Sequence, residues 1–117
     1  MSEVKRATRV AERVREEMAW LLTTEVRDPR VKGVIVSRVE MTDDLKLARI
    51  YVRMLEGGDG KVALKGLERT AIMLRREVSK RVGLRYAPEL RFFYDDGLDK
   101  TTRIEELLEE VKRDTKK

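Results

Sequence analysis

Cysteine and histidine are both absent from this sequence. Without cysteine there are no disulfides, no thiolate nucleophiles and no zinc-cysteine sites. Without histidine every imidazole base, catalytic triad and imidazole metal ligand is excluded. Carboxylate, lysine, tyrosine and hydroxyl groups remain, and no acid-base or nucleophile arrangement can be assembled from them here. No apolar run approaches the ~18 residues of a membrane span. The opening stretch, MSEVKRATRV, alternates charged and apolar residues where a signal peptide would be continuously apolar. A protein of the reducing cytoplasm is expected.

What is abundant is charge. Charged residues make up 42% of the 117, against 41% hydrophobic, and a quarter is usual for the charged fraction. The net charge of +5 is uneven. Residues 61–94 hold 9 basic and 3 acidic side chains, whereas residues 95–117 hold 6 and 8. A positive field confined to one segment points to a polyanionic partner.

Periodicity orders the chain. Val4, Ala7, Ala11, Val14, Met18 and Leu21 recur at spacings of three and four, which predicts an amphipathic helix to about Thr24. Arg6, Arg9, Arg13 and Trp20 fall on its opposite side. Val26-Arg27-Asp28-Pro29-Arg30 then turns the chain: Pro29 disfavours helix at Asp28, so the helix ends at or before that residue. Gly33 lets the chain enter VIVSRVEM, read as a strand with Ile35, Ser37, Val39 and Met41 on one face. Past the Thr42-Asp43-Asp44 turn, LARIYVRM places Ala48, Ile50, Val52 and Met54 on one face and Arg49, Tyr51 and Arg53 on the other. The two runs form an antiparallel hairpin.

Gly57-Gly58-Asp59-Gly60 precedes a second long helix with the stripe Leu64, Leu67, Ala71, Leu74, Val78 and Val82. Lys65, Arg69, Arg76 and Lys80 share its far side. Ile72 lies near that basic row, so either the helix kinks there or Ile72 is exposed. Leu90 to Tyr94 is a third strand, and Thr102 with Glu105 opens a short final helix in a capping-box pattern. The order is α-β-β-α-β-α with helices on one face of a three-stranded sheet, an α+β fold. Residues 1–112 are expected to form one domain, and 113–117 a disordered basic tail.

Three elements together resemble the ribosome-binding factor A family: EVRDPRVKGVIVSRVEMTDDLKLARIYV, LRREV, and LRYAPELRFFYDD followed by RIEELL. The resemblance runs from about Val4 to Leu108. It implies a KH-like domain of the bacterial type II order. It also implies a non-catalytic factor in late maturation of the small (30S) ribosomal subunit. Such a factor binds free 30S subunits and 16S rRNA, towards the 5′-terminal helix, and supports processing of the rRNA 5′ end. A monomer with no cofactor, small-molecule substrate or membrane partner is expected. The family interrupts its second helix with an Ala-x-Gly kink. The matching positions here, Thr70-Ala71-Ile72, hold no glycine.

Several features carry a functional and a plain reading. Gly57 to Gly60 matches the Gly-x-x-Gly clamp of KH domains, but it follows a strand instead of joining two helices, so it reads as a loop. Asp43-Asp44 and Asp95-Asp96 read as turns before they read as magnesium ligands. Trp20, Tyr51, Tyr86 and Phe93 are the aromatics able to stack on bases. Tyr86 and Phe93 are expected to pack in the core or at its edge. For Trp20, base stacking and cover by a neighbouring segment both stay open. The chosen RNA-binding residues are Lys65, Arg69, Arg76 and Lys80, with Arg75, Arg81, Arg85 and Arg30 as secondary members. The rival is a protein-interaction module whose basic face meets an acidic partner.

Overall fold

The structure is a computed structural model and describes residues 3–55 and 58–95. Helix α1 spans Glu3–Thr24, a single 3-10 turn Pro29–Val31, strand β1 Val34–Met41, β2 Leu47–Met54, helix α2 Gly60–Val82 and β3 Glu89–Tyr94. β1 pairs antiparallel with β2, and β3 adds parallel to the other edge of β2. This is the α-β-β-α-β order and three-stranded sheet expected. The final helix, its Thr102–Glu105 cap and the basic tail lie outside the described residues.

The two helices and one face of the sheet enclose the core. Val14, Met18 and Leu21 from α1, Ile50 and Val52 from β2, and Leu67, Leu74 and Val78 from α2 are buried in it. At about 25 cal/mol per Å² of apolar surface removed from water, each such side chain contributes roughly 1.5–3 kcal/mol.

Strand β1 departs from strict alternation. Val36 pairs with Val52 but Arg38 pairs with Tyr51, so Ser37 is an extra residue in the ladder. This β-bulge reverses which side chains point inward. Val34 and Val36 face the core before it, Val39 and Met41 after it. The expected grouping of Ile35 and Ser37 with Val39 and Met41 is therefore corrected. The Ser37 hydroxyl lies 3.0 Å from the Tyr51 carbonyl and 3.1 Å from the Asp95 carboxylate, and its proton is shared between these two acceptors.

Tyr51 takes the face expected of it but is withdrawn from base stacking. It lies on the sheet face away from the helices, yet it is 2% exposed. The Arg38 guanidinium sits 4.1 Å from its ring centre, and Phe93 stacks beside it at 5.2 Å. Its hydroxyl donates to Glu40 Oε1 at 3.0 Å. Burial, followed by the neighbouring Glu40 charge, pushes the phenol well above its ordinary pKa.

Helix α2 begins where Asp59 accepts the backbone N–H groups of Lys61 and Val62. The acid caps the helix, and Gly60 after it is already the first helical residue. The helix ends at Gly83, whose φ of 81° suits glycine, with the Gly83 and Leu84 N–H groups both donating to the Ser79 carbonyl. Between these ends the helix runs uninterrupted through Thr70-Ala71-Ile72. Ile72 is 83% exposed, so the break in apolar phase is an apolar side chain facing solvent.

Candidate nucleic-acid interface

Lys65, Arg69, Arg76 and Lys80 lie 4, 7 and 4 residues apart on α2. At 3.6 residues per turn that spacing keeps them on one face. Lys65, Arg69, Arg76 and Lys80 are all exposed, with Ile72 in the middle of their row. Arg76 and Lys80 share one carboxylate: Glu77 Oε2 is 3.6 Å from Arg76 Nε and 3.9 Å from Lys80 Nζ. Exposed pairs at such separations contribute little, so both cations keep most of their capacity for a phosphate.

The Asp28-Pro29-Arg30 corner packs against the first half of this helix. A Cβ built on Gly66 would lie 2.9 Å from Arg30 Cβ and 2.9 Å from Val31 Cγ1. The turn therefore rests directly on the α2 backbone. Asp28 accepts the Arg30 backbone N–H at 2.9 Å, and its Oδ2 takes Arg30 Nη2 at 2.6 Å. These bonds to Arg30, with Arg69 adding a smaller attraction, bring the Asp28 carboxyl down to about 2. The corner is architecture first: Arg30, a secondary candidate, spends its guanidinium on Asp28.

A carboxyl with a folded pKa below its unfolded value stabilises the fold above the unfolded value of about 3.9. That stability fades as pH falls towards about 2. The Asp28→Asn variant is expected to be less stable than the parent at pH 6, with the gap narrowing at pH 2.5 and closing below about pH 2. Urea denaturation at the two pH values measures it, and a gap that stays constant would refute the role of the charge.

The remaining secondary candidates divide. Arg81 turns to α1: its guanidinium lies 4.1 Å from the Trp20 ring centre and 3.6 Å from Glu17 Oε2. Arg81 thus covers one face of the Trp20 ring while the residue stays 44% exposed, and the Arg81 carbonyl also accepts from Arg13 Nη2 at 3.3 Å. This cluster ties α1 to α2. Arg75 reaches the loop after α2, donating from Nη2 to the Ala87 carbonyl at 2.9 Å. Arg85 lies in that loop with Tyr86, which is 76% exposed. The expectation that Tyr86 packs in the core or at its edge is overturned: Pro88, buried two residues on, anchors the loop in its place. Phe93 does pack, half-buried on Tyr51.

Sequence periodicity missed how Arg75 and Arg85 meet side chains from elsewhere. Arg6 from α1 and Lys46 from the β1–β2 turn line the same hollow, and only the tertiary fold brings these four cations together. Asp44 in that turn accepts the Thr42 hydroxyl at 2.7 Å and the Lys46 N–H at 3.0 Å, as a turn aspartate does. No group of three or more metal-ligating side chains occurs among the described residues. None of the described helices is long and apolar enough to cross a membrane.

The family model described as Ribosome-binding factor A matches residues 6–108. The Ribosome-binding factor A of Sorangium cellulosum is 56% identical over 113 residues, covering 93% of this chain and 90% of that one. The crystal structure of ribosome-binding factor A from Thermus thermophilus matches with a TM-score of 0.68 at 23% identity, covering 75% of this chain and 94% of that one. A homology model of the Thermus thermophilus factor, fitted into the cryo-EM map of a 30S complex with it, matches with a TM-score of 0.66 at 22% identity. That match covers 79% of this chain and 98% of the other.

Proposed function

The chain belongs to the ribosome-binding factor A family, and from that premise we propose that it binds the free 30S subunit through 16S rRNA, assisting late maturation without catalysing a reaction. The row Lys65, Arg69, Arg76 and Lys80 on one face of α2 carries this reading. Cations at that spacing follow phosphates and bind by shape and charge, without reading base identity. A relative fitted into a 30S complex supports the choice of particle. Binding as a monomer near the 5′-terminal helix, the chain would favour one local arrangement of the rRNA, support processing of its 5′ end and leave the finished subunit. Arg30 and Arg81 serve mainly to hold the scaffold, since Arg30 is bonded to Asp28 at 2.6 Å and Arg81 lies over the Trp20 ring beside Glu17.

Sedimentation with purified small subunits, large subunits and whole ribosomes at moderate salt tests this. Co-migration with free small subunits alone is expected. Equal binding to all particles would reduce the basic row to general RNA affinity, and binding to none would remove the ribosomal reading. Competition by purified 16S rRNA separates an RNA partner from an acidic protein.

A further inference from the structure

Beside the basic row, the far end of α2 borders a hollow of about 640 Å³. That volume is in the range of small-ligand sites. Its walls come from four places: Arg6 on α1, Leu45 and Lys46 in the β1–β2 turn, Arg75 on α2, and Arg85 with Tyr86 in the loop before β3. Two carboxylates, Asp44 and Glu89, also line it. Both are engaged: Asp44 within its turn, and Glu89 with Arg91 Nε at 2.7 Å. Arg6 and Arg85 form no ion pair among the described residues. The hollow therefore presents unmatched positive charge round an apolar wall, with an aromatic ring standing in solvent at its rim.

It is also continuous with the proposed interface. A shallower depression runs from Ile72, Arg76 and Lys80 to Arg75, Leu84, Arg85 and Ala87, and the last four line the hollow as well. A strand whose phosphates follow the α2 row is led past Arg75 into it.

We propose that this hollow receives an unpaired nucleotide of single-stranded RNA, its base stacked on Tyr86 and its phosphates met by Arg85, Arg6 and Lys46. The proposal rests on the reading that the chain binds rRNA, and it adds that the RNA contacted at this end is unpaired. A duplex keeps its base faces inside the stack, so only an unpaired base can offer one to Tyr86. Stacking of this kind tolerates any base, because every base has a π-face. An acidic peptide would satisfy the cations but would leave the ring and the Leu45–Leu84 wall without a flat partner.

Fluorescence anisotropy with a labelled single-stranded hexaribonucleotide and a labelled twelve-base-pair RNA duplex tests it, using the whole chain. Tyr86→Ala is expected to weaken single-strand binding about tenfold, leaving duplex binding within about twofold, and Tyr86→Phe to restore the single-strand affinity. Since Tyr86 is exposed, its removal spares the fold, which an unchanged melting curve verifies. Equal losses on both RNAs, no loss on either, or failure of the phenylalanine variant would overturn the site. So would competition by an octaglutamate peptide as effective as that by the unlabelled single strand. The parent reading fails separately: then the unsubstituted chain binds neither RNA, and this proposal falls with it.

Discussion

Replacing Lys65, Arg69, Arg76 and Lys80 together by alanine is expected to lower affinity for a 16S rRNA fragment at least a hundredfold at 0.1 M salt, with little change in stability. Each phosphate neutralised contributes about 0.7–0.9 to the slope of log K against log salt, so four contacts contribute about 3. At 0.1 M, one decade below the 1 M at which that electrostatic advantage vanishes, a slope of 3 corresponds to about a thousandfold. Glu77 lowers the figure, because it stands 3.6 Å from Arg76 and 3.9 Å from Lys80 and already offsets part of their charge. The fold should tolerate the change. None of the four side chains is buried in the core, and substitutions at such surface positions usually stay within ~0.5 kcal/mol. Titrations at several salt concentrations give the slope, and urea denaturation gives the stability. An unaltered slope would remove the row from the interface even if affinity fell for another reason.

Periodicity made that row legible. The α2 stripe was readable because a helix imposes one repeat on its whole length, and all that repeat requires is intact hydrogen bonding from Gly60 to Val82. Both long helices, the hairpin and the third strand emerged from the same kind of signal. Where a single residue interrupts the repeat, the reading failed. Ser37 displaces the β1 ladder by one, and nothing in VIVSRVEM distinguishes a bulged serine from an outward-facing one. The burial of Tyr51 needed a guanidinium from β1 and a ring from β3, residues distant in sequence that no local pattern relates. The same holds for the hollow at Tyr86. Its cations come from residues 6, 46, 75 and 85, and their proximity follows from the parallel pairing of β3 with β2. Arg81 shows the converse. It lies near the basic row in sequence, yet it is held by Trp20 and Glu17.

The largest expected loss of stability comes from a residue without a side chain. At Gly66 two effects oppose each other. Glycine inside a helix costs about 1 kcal/mol relative to alanine, so substitution alone would favour α2. Against this, the new Cβ would sit 2.9 Å from both Arg30 Cβ and Val31 Cγ1, and the Arg30 backbone carbon is only 3.6 Å away. Those are not the ends of flexible chains, so the whole turn must shift. Overpacking of this kind costs about 1–3 kcal/mol, and Gly66→Ala is expected to be destabilising by no more than about 2 kcal/mol once the helical gain is subtracted. Gly66→Leu gains almost the same helical propensity but places three more carbons where the turn lies. The turn must then lift away, and Val31, 2% exposed, loses its burial, worth roughly 1.5–3 kcal/mol. A net loss of about 3–4 kcal/mol is expected, enough to lower the melting temperature by more than about 10 °C in a chain of this size. Ile72→Leu is the matched control on the same helix, and at 83% exposure it should leave the melting temperature unchanged. Because Arg69 also acts on the Asp28 carboxylate, lifting the turn removes Asp28 from beside the basic row, and RNA affinity should change along with stability. Gly66→Leu melting like the parent would mean that the Asp28-Pro29-Arg30 corner does not depend on α2 for its place.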